Sequence, residues 1–425
     1  LDGEKVTLEI KFLGSAREVG RAAISVKTGK TQILLDYGVM LNHTPGFPMH
    51  VPPREVDAVV ITHSHLDHSG AVPIFHIHEL KPVYGTRLTF NLANILIKDF
   101  IHLSSYYIPF EYLELRSMMR SRRDLEYREE TAVGDIKLQL LDSGHLPGGA
   151  QALVEADGKR LVYTSDFNAT ETRLLPAADL DYGELDALII ESTYADEEHT
   201  PRKELEERFL SEVNDVVEEG GTVLVPAFSV GRAQEIACVL AAYHFEYPVV
   251  MDGMAREASR ILMGHLDFVR DPKLFMDGVH MAAWIESWRD RKNATKKPGV
   301  IISPAGMLKG GPAASYVQSI GKKPNNAVFL VGYQIPGTPG RELLKKGRCV
   351  IDGKMQKIKA KVGFFDFSSH AGAKELKETV KGLKGNPTVY VVHGAEGNCP
   401  RFAKWIKDEV GLEAKAPNPG DTFTA

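Results

Sequence analysis

The apolar and polar positions divide the chain into a β-rich opening, a helical stretch, a second β-rich run, a region of alternating strands and helices, and a closing β segment. Residues 6–13 and 22–26 alternate or run apolar on either side of the loop Gly14-Ser15-Ala16-Arg17-Glu18-Val19-Gly20. That pattern predicts a strand, a glycine-punctuated loop and a second strand. Residues 33–38 predict a third strand, and Ala58-Val59-Val60-Ile61 a buried fourth. Residues 90–119 mix apolar and polar positions as helices covering a sheet do, with a break at Pro109. Strands return at 136–141, 161–167 and 187–194.

From Thr200 the texture changes. Thr200-Pro201 reads as an N-cap followed by a favoured first helical residue, and 204–219 runs helically until Gly220-Gly221 stops it. Strands at 222–226, 248–251, 300–303 and 327–331 then alternate with helices at 231–244, 255–266, 281–291 and 313–320. This alternation predicts a parallel, doubly wound sheet. It is placed in a domain of residues 196–346, inserted between 1–195 and 347–425 of another. Residues 347–362 return to short strands with Lys357, Lys359 and Lys361 along one face; 388–394 is a β-branched strand ending at His393; 414–425 is a turn-rich tail.

Chemistry concentrates where these strands end. His63-Ser64-His65-Leu66-Asp67-His68 holds four metal-competent side chains in the loop after a buried strand. His63 and His65, two apart, project the same way from extended chain and take one metal together, while Asp67 and His68 point toward a second. Asp36, His145, Asp166 and Glu191 likewise follow apolar runs, a series that argues for one shared edge of a sheet sandwich. Asp36 is read as a carboxylate that orients a ligand. His76, His78 and His102 follow no such strand and are expected to be structural, and Arg120, Arg122 and Arg123 to be a solvated face.

Composition narrows the class. With 425 residues the chain has room for two or three domains, and its 43% hydrophobic and 25% charged content excludes a disordered or fibrous chain. The 3 cysteines, Cys238, Cys349 and Cys399, are isolated and odd in number, so any metal ligands are nitrogen and oxygen. A net charge of −5 excludes recruitment of nucleic acid by a broadly basic surface. No apolar run spans a bilayer and no signal-peptide pattern opens the chain, so a cytoplasmic address without membrane attachment is expected, and Leu1 in place of methionine leads us to expect a trimmed start.

The order Asp36, His63-x-His65-x-Asp67-His68, His145, Asp166, Glu191, His370, His393 resembles the β-CASP group of metallo-β-lactamase-fold nucleases. The likeness covers essentially the whole chain. It is nearest to the archaeal relatives of the endonuclease subunit of the cleavage and polyadenylation specificity factor, of the type without N-terminal KH domains, and more distant from RNase J. Glu191 in Ile-Glu-Ser-Thr-Tyr, His370 in Phe-Ser-Ser-His-Ala and His393 in Val-Val-His-Gly match the group's extra motifs, and Ala395 stands where many members have Glu.

The resemblance implies an α/β fold, a metallo-β-lactamase αββα sandwich with an inserted β-CASP domain that closes as a lid. It implies two Zn2+ per chain, with Mn2+ as the substitute. His63, His65 and His145 hold one ion, Asp67, His68 and His393 the other, and Asp166 bridges. The charge balance of this set is positive, which suits a phosphodiester attacked in line by an activated water. His370 is then the general acid with Glu191 as its orienting carboxylate, so that Asp67, His370, Glu191 and Asp36 are the catalytic group. Ser368 and Ser369 are expected on phosphate oxygens; Ser229, Arg232 and Ser303 read equally as main-chain approaches to an RNA backbone or as ordinary βα-loop residues, and Arg341, Lys345, Lys346 and Arg348 equally as a positive track or a solvated face. Single-stranded RNA and a homodimer are the implied partners. The rivals are a small-molecule hydrolase such as a thioesterase or lactamase, which needs neither so large a lid nor a second acid, and an inactive scaffold subunit, which would have lost ligands.

Overall fold

The computed structural model describes residues 8–41, 45–104, 107–335, 337–351 and 353–425. The start of the strand expected at 6–13 lies outside them, and its remainder is Glu9–Phe12. The chain forms two compact units: one from residues up to 171, Ala177–Glu198 and Ser369–Ala425, the other from Thr172–Pro176 and His199–Ser368.

The first unit is a four-layer αββα sandwich. One seven-stranded sheet runs in the order Thr422–Thr424, Glu9–Phe12, Ile24–Lys27, Gln32–Leu35, Ala58–Val60, Val83–Gly85, Arg122–Asp124. The other runs Ala414–Lys415, Lys384–Val392, Glu184–Glu191, Lys159–Tyr163, Ala150–Ala156, Ile136–Asp142, Glu130–Val133. Alternate residues of each strand face the partner sheet, and Phe12, Ile33 and Val60 pack there with Leu138, Val154 and Tyr390. The opposite faces carry the helices. Arg87–Leu103 and Tyr112–Arg120 cover the first sheet through Phe90, Ile97 and Met118, and Ala373–Lys381 and Asn398–Trp405 cover the second through Leu376 and Phe402.

The second unit is a doubly wound sheet of six strands, in the order Ala282–Trp284, Val249–Met251, Gly299–Ser303, Thr222–Pro226, Ala327–Leu330, Lys361–Phe364. Every pairing is parallel. Val223 and Val225 meet the Arg202–Glu218 and Arg232–Ala242 helices on one face, while Leu224 meets Gly311–Ile320 on the other. Such double coverage is why these strands read as continuous apolar runs.

Several expectations shift. The inserted unit runs past residue 346 to Ser368, because Lys361–Phe364 joins its sheet as the last parallel strand. Lys357 and Lys361 consequently sit on different strands, not on one face. The helix expected at 281–291 is replaced by a helix at Pro272–Met281, a strand at Ala282–Trp284 and a short helix at Trp288–Ala294. In-register pairing of Ala282 to Trp284 with Val249 to Met251 overrides local propensity there, and the missed helix start is marked by Asp271, whose side chain accepts from Leu274 N–H ahead of Pro272. The helix expected after a Thr200 cap begins at Arg202, one residue later, with Pro201 at the cap position.

The chain after Gln32–Leu35 cradles the histidine loop. Asp36 turns into the left-handed region at φ 60, after which Tyr37 N–H donates to His68 O at 2.9 Å and Val39 N–H to Leu66 O at 2.8 Å. Gly38 lies so close that a Cβ there would stand 1.8 Å from the Asp67 carbonyl oxygen. Gly38→Ala is therefore expected to lower stability by about 1–3 kcal/mol, the usual cost of overpacking, and to weaken metal retention by displacing the Asp67-His68 peptide. Thermal unfolding and metal analysis equal to wild type would show that this contact yields freely.

Candidate metal centre

The candidate metal ligands, with Asp36 and Glu191, hang from the ends of strands. Asp36 follows Gln32–Leu35, the His63 to His68 loop follows Ala58–Val60, His145 follows Ile136–Asp142, Asp166 follows Lys159–Tyr163, Glu191 ends its strand, and His393 follows Lys384–Val392. Parallel pairing of Gln32–Leu35 with Ala58–Val60, and of Lys159–Tyr163, Glu184–Glu191 and Lys384–Val392 in turn, brings these ends to common edges. A single helical turn, Leu66–Ser69, carries Asp67 and His68.

Asp166 is the geometric hub. Its Oδ2 lies 3.5 Å from His68 Nε2, 3.8 Å from His63 Nε2 and His145 Nε2, and 3.9 Å from His370 Nε2, and its Oδ1 lies 3.0 Å from His393 Nδ1. The ligand atoms of His63, His65, His145 and Asp166 lie within 4.8 Å of one another, as do those of Asp67, His68 and His393, and those of Asp166, Glu191 and His393. His63 Nε2 and His68 Nε2 are buried without a hydrogen-bond partner among the described residues. Buried polar atoms rarely stay orphaned. Imidazole lone pairs converging on a carboxylate are what a divalent cation with nitrogen and oxygen ligands requires, so the residues fit such a group.

The far sides of the His68, His145 and His370 rings are held. Asp36 Oδ2 sits 2.7 Å from His68 Nδ1, and the Ser369 carbonyl accepts from His145 Nδ1 at 2.8 Å. Asp36 also accepts from the Thr62 amide at 2.8 Å, the Thr62 hydroxyl and the Tyr163 hydroxyl. Glu191 Oε1 lies 2.8 Å from His370 Nδ1, and the carboxylate is fixed by the amides of Phe167 at 3.1 Å and Thr193 at 3.2 Å. Such partners set ring orientation and tautomer.

The electrostatics split the histidines. Burial, with His68 and His145 close by, pushes His63 well below its ordinary value, and burial with His370 nearby does the same to His145. Burial brings His65 down to about 4. For His68 burial also disfavours the charged form, yet Asp166 and Asp36 outweigh it and raise the group to about 10. His393 is raised against burial by Asp166 and Asp67, and His370 against burial by Glu191 and Asp166. Asp166 itself, which burial would raise, is held far down by His393 and His68.

Of the residues expected at phosphate, Ser369 enters the site through its main-chain carbonyl, while the Ser368 carbonyl accepts from Arg202 at 2.9 Å within the second unit. Ser229, Arg232 and Ser303 also belong to the second unit, where Ser303 ends a strand in register with Pro226 and is fully buried. Lys346 pairs with Glu342 there. His76 is structural as expected: its ring reaches the carbonyls of Val72 at 3.4 Å and Lys81 at 3.0 Å. Sequence reasoning missed Thr62, Tyr163 and Ser165; the available signal was that Thr62 adjoins His63 and Ser165 adjoins Asp166, whereas Tyr163 carried none.

Comparison with known proteins bears on the whole chain. Residues 25–193 match the metallo-beta-lactamase superfamily domain, 233–343 the Beta-Casp domain, and 355–417 the Zn-dependent metallo-hydrolase RNA specificity domain. The RNase aCSPSF2 of Saccharolobus solfataricus is 42% identical over 98% of this chain and 85% of its own. The probable RNase MJ4 of Methanocaldococcus jannaschii is 35% identical over 97% and 99%, and the transcription termination factor FttA of Pyrococcus horikoshii 33% identical over 98% and 71%. A crystal structure of an Enterococcus faecalis V583 protein of unknown function shares the fold at a TM-score of 0.64 and 14% identity, covering 99% of this chain and 100% of that one. With those domains in that order and relatives this similar over nearly its full length, the chain belongs to the β-CASP family of metallo-β-lactamase-fold metallo-hydrolases, and its close homologues are archaeal members akin to the cleavage and polyadenylation specificity factor nuclease.

Proposed function

We propose that the protein is a metal-dependent ribonuclease that hydrolyses RNA phosphodiester bonds, by internal cleavage, 5′-3′ digestion or both, in RNA processing, 3′-end formation or decay. The observation that carries this reading is the meeting of two donor groups at Asp166 beside a His370–Glu191 pair. RNase relatives in two archaea and the matched RNA specificity domain support RNA as substrate.

In this reading His63, His65 and His145 hold one Zn2+, Asp67, His68 and His393 hold a second, and Asp166 serves both; Mn2+ suits the same donors. Bound there, the ions would supply positive charge against a phosphodiester and an activated water. The chain's own groups do the rest. Glu191 accepts from His370 Nδ1 and leaves Nε2 to carry the proton for the leaving 3′-oxygen. Asp36 keeps His68 oriented. Ser368 and Ser369 are assigned to phosphate oxygens and, within the second unit, Ser229 and Arg232 to an RNA backbone, whereas the fully buried Ser303 takes no such role. We place the protein in the cytoplasm, where free thiols at Cys238, Cys349 and Cys399 persist. Among the described residues no helix is long and apolar enough to cross a membrane.

RNA labelled at one end, offered with 5′-monophosphate, 5′-triphosphate or as a circle, should be cut in a metal-dependent way, and the product lengths separate the two modes. Cleavage of a chromogenic lactam or thioester with RNA left intact would transfer the assignment to a small-molecule hydrolase. Elemental analysis should find close to two zinc ions per chain and none after Asp166→Ala; one ion or fewer in the unchelated wild type would refute the two-ion arrangement.

His370→Ala should keep its metals and still bind RNA, while single-turnover cleavage slows by roughly 10²–10⁴-fold, the worth of a positioned general acid. Glu191→Gln should be milder. Because Glu191 raises the His370 pKa, its removal should also move the alkaline fall of the rate to lower pH. Loss of a metal from His370→Ala would mean that this imidazole is a ligand. The family resemblance further leads us to expect a homodimer in light scattering, and a monomer at micromolar concentration would remove that expectation.

A further inference from the structure

Ser165 precedes the central aspartate with its backbone at φ 51, a region where glycine is the favoured residue. A serine in that conformation needs a reason, and its hydroxyl supplies one. Ser165 Oγ lies 2.7 Å from Thr62 Oγ1 and 3.4 Å from both His63 Nδ1 and His68 Nδ1. Thr62 Oγ1 lies 2.7 and 2.9 Å from the two oxygens of Asp36 and 3.3 Å from His63 Nδ1. All five side chains are buried.

The hydrogens in this cluster have one consistent direction. The Asp36 carboxylate only accepts, so the single Thr62 hydroxyl hydrogen is committed to it. The Thr62 oxygen then accepts, which commits the Ser165 hydrogen to Thr62. With both spent, the two oxygens can only accept from His63 Nδ1. His68 reaches Asp36 directly and His145 has the Ser369 carbonyl, whereas the Nδ1 of His63 meets only these two hydroxyls among the described residues. Its proton therefore sits on Nδ1, and the buried Nε2, 3.8 Å from Asp166, presents a lone pair.

We propose that Ser165 and Thr62 form a hydroxyl relay that carries the orienting influence of Asp36 to His63, so that one carboxylate aligns a histidine in each of the two donor groups. The proposal rests on the two-ion reading above and assigns both hydroxyls as positioning residues.

The test follows zinc transfer from the full-length, zinc-loaded chain to a chromogenic chelator, alongside the melting temperature of the metal-free chain. Ser165→Ala and Ser165→Gly should both release one zinc at least about 10-fold faster, in line with the usual effect of removing a ligand's supporting partner. Metal-free Ser165→Gly should melt above Ser165→Ala, because glycine relaxes the backbone; it also guards against a folding failure. Thr62→Ser, which keeps the hydroxyl, should stay within about twofold of wild type, while Thr62→Val should match Ser165→Ala. The Thr62→Val/Ser165→Ala double variant should be no worse than either single one, since both break the same chain. Wild-type release from Ser165→Gly, release from Thr62→Ser as fast as from Thr62→Val, or single effects that multiply would each overturn the relay. A wild type holding one zinc would sink the two-ion reading alone, and the relay is then decided on that ion by the same comparison. A wild type holding none would overturn both.

Discussion

Burying a carboxylate such as Asp166 among imidazoles poses a charge problem that the surrounding structure has to solve. Asp166 is 2% exposed and Asp36 is fully buried, and an uncompensated buried charge is far too costly to persist. In the metal-free chain protons on His68 and His393 provide the compensation, while His63, His65 and His145 stay neutral. The two classes respond to pH in opposite directions. His68, raised to about 10, stabilises the metal-free fold fully below its ordinary value of 6.5 and loses that contribution as pH rises through about 10. His65, lowered to about 4, stabilises above 6.5 and loses its contribution as pH falls through about 4. His68 and His393 would have to give up these protons to hold a divalent cation, while His63, His65 and His145 already offer lone pairs, so loading would release protons and weaken in acid.

The backbone solves the pointing problem with the same device at several strand ends. Asp36, Ser165 and His393 all have positive φ, at 60, 51 and 46. Each turns the chain sharply where its strand stops, at a strain of about 1–3 kcal/mol that persists only where neighbours over-determine it. At His393 the over-determination is visible: its N–H donates to Ser15 O at 2.7 Å, and its carbonyl accepts from Ser192 N–H at 3.2 Å and from the Thr193 hydroxyl at 3.1 Å. The site is therefore built by the loops, and the sheets supply fixed points from which they start.

What could be read in advance follows from which signals are local. A strand followed by a metal-competent residue is written in consecutive positions, so the convergence of Asp36, His63, His145, Asp166, Glu191 and His393 on sheet edges was legible. The βα alternation after residue 200 was equally plain, because a strand buried on both faces is apolar throughout. Pairing partners were not local. Ala150–Ala156 is alanine-rich and has no strand signature of its own, yet it is buried between two antiparallel neighbours. Ala282–Trp284 is a strand because Val249–Met251 lies beside it, and Lys361–Phe364 belongs to the inserted unit because of Ala327–Leu330. The hydroxyls of Thr62 and Ser165 escaped notice for a related reason: a serine or threonine acquires a role only from what folds against it.

Why the second unit can be inserted where it is follows from sheet topology. Glu184–Glu191 and Lys384–Val392 pair in parallel, and a parallel pair needs a crossover of a dozen or more residues, usually a helix. Ala373–Lys381 is that helix, packed on the outer face of the sheet it bridges. The return is pinned within the first unit: Ala373 N–H donates to Glu197 O at 2.9 Å, and Ala371 N–H to Phe167 O at 2.8 Å. Glu191 before the insertion and His370 after it therefore meet at 2.8 Å although 179 positions separate them. A connection that the sheet needs in any case can be lengthened at a loop-closure cost that grows only logarithmically, so long as its ends stay pinned beside the site. The His370–Glu191 pair thus lies within the first unit, on the two chain segments that flank the insertion.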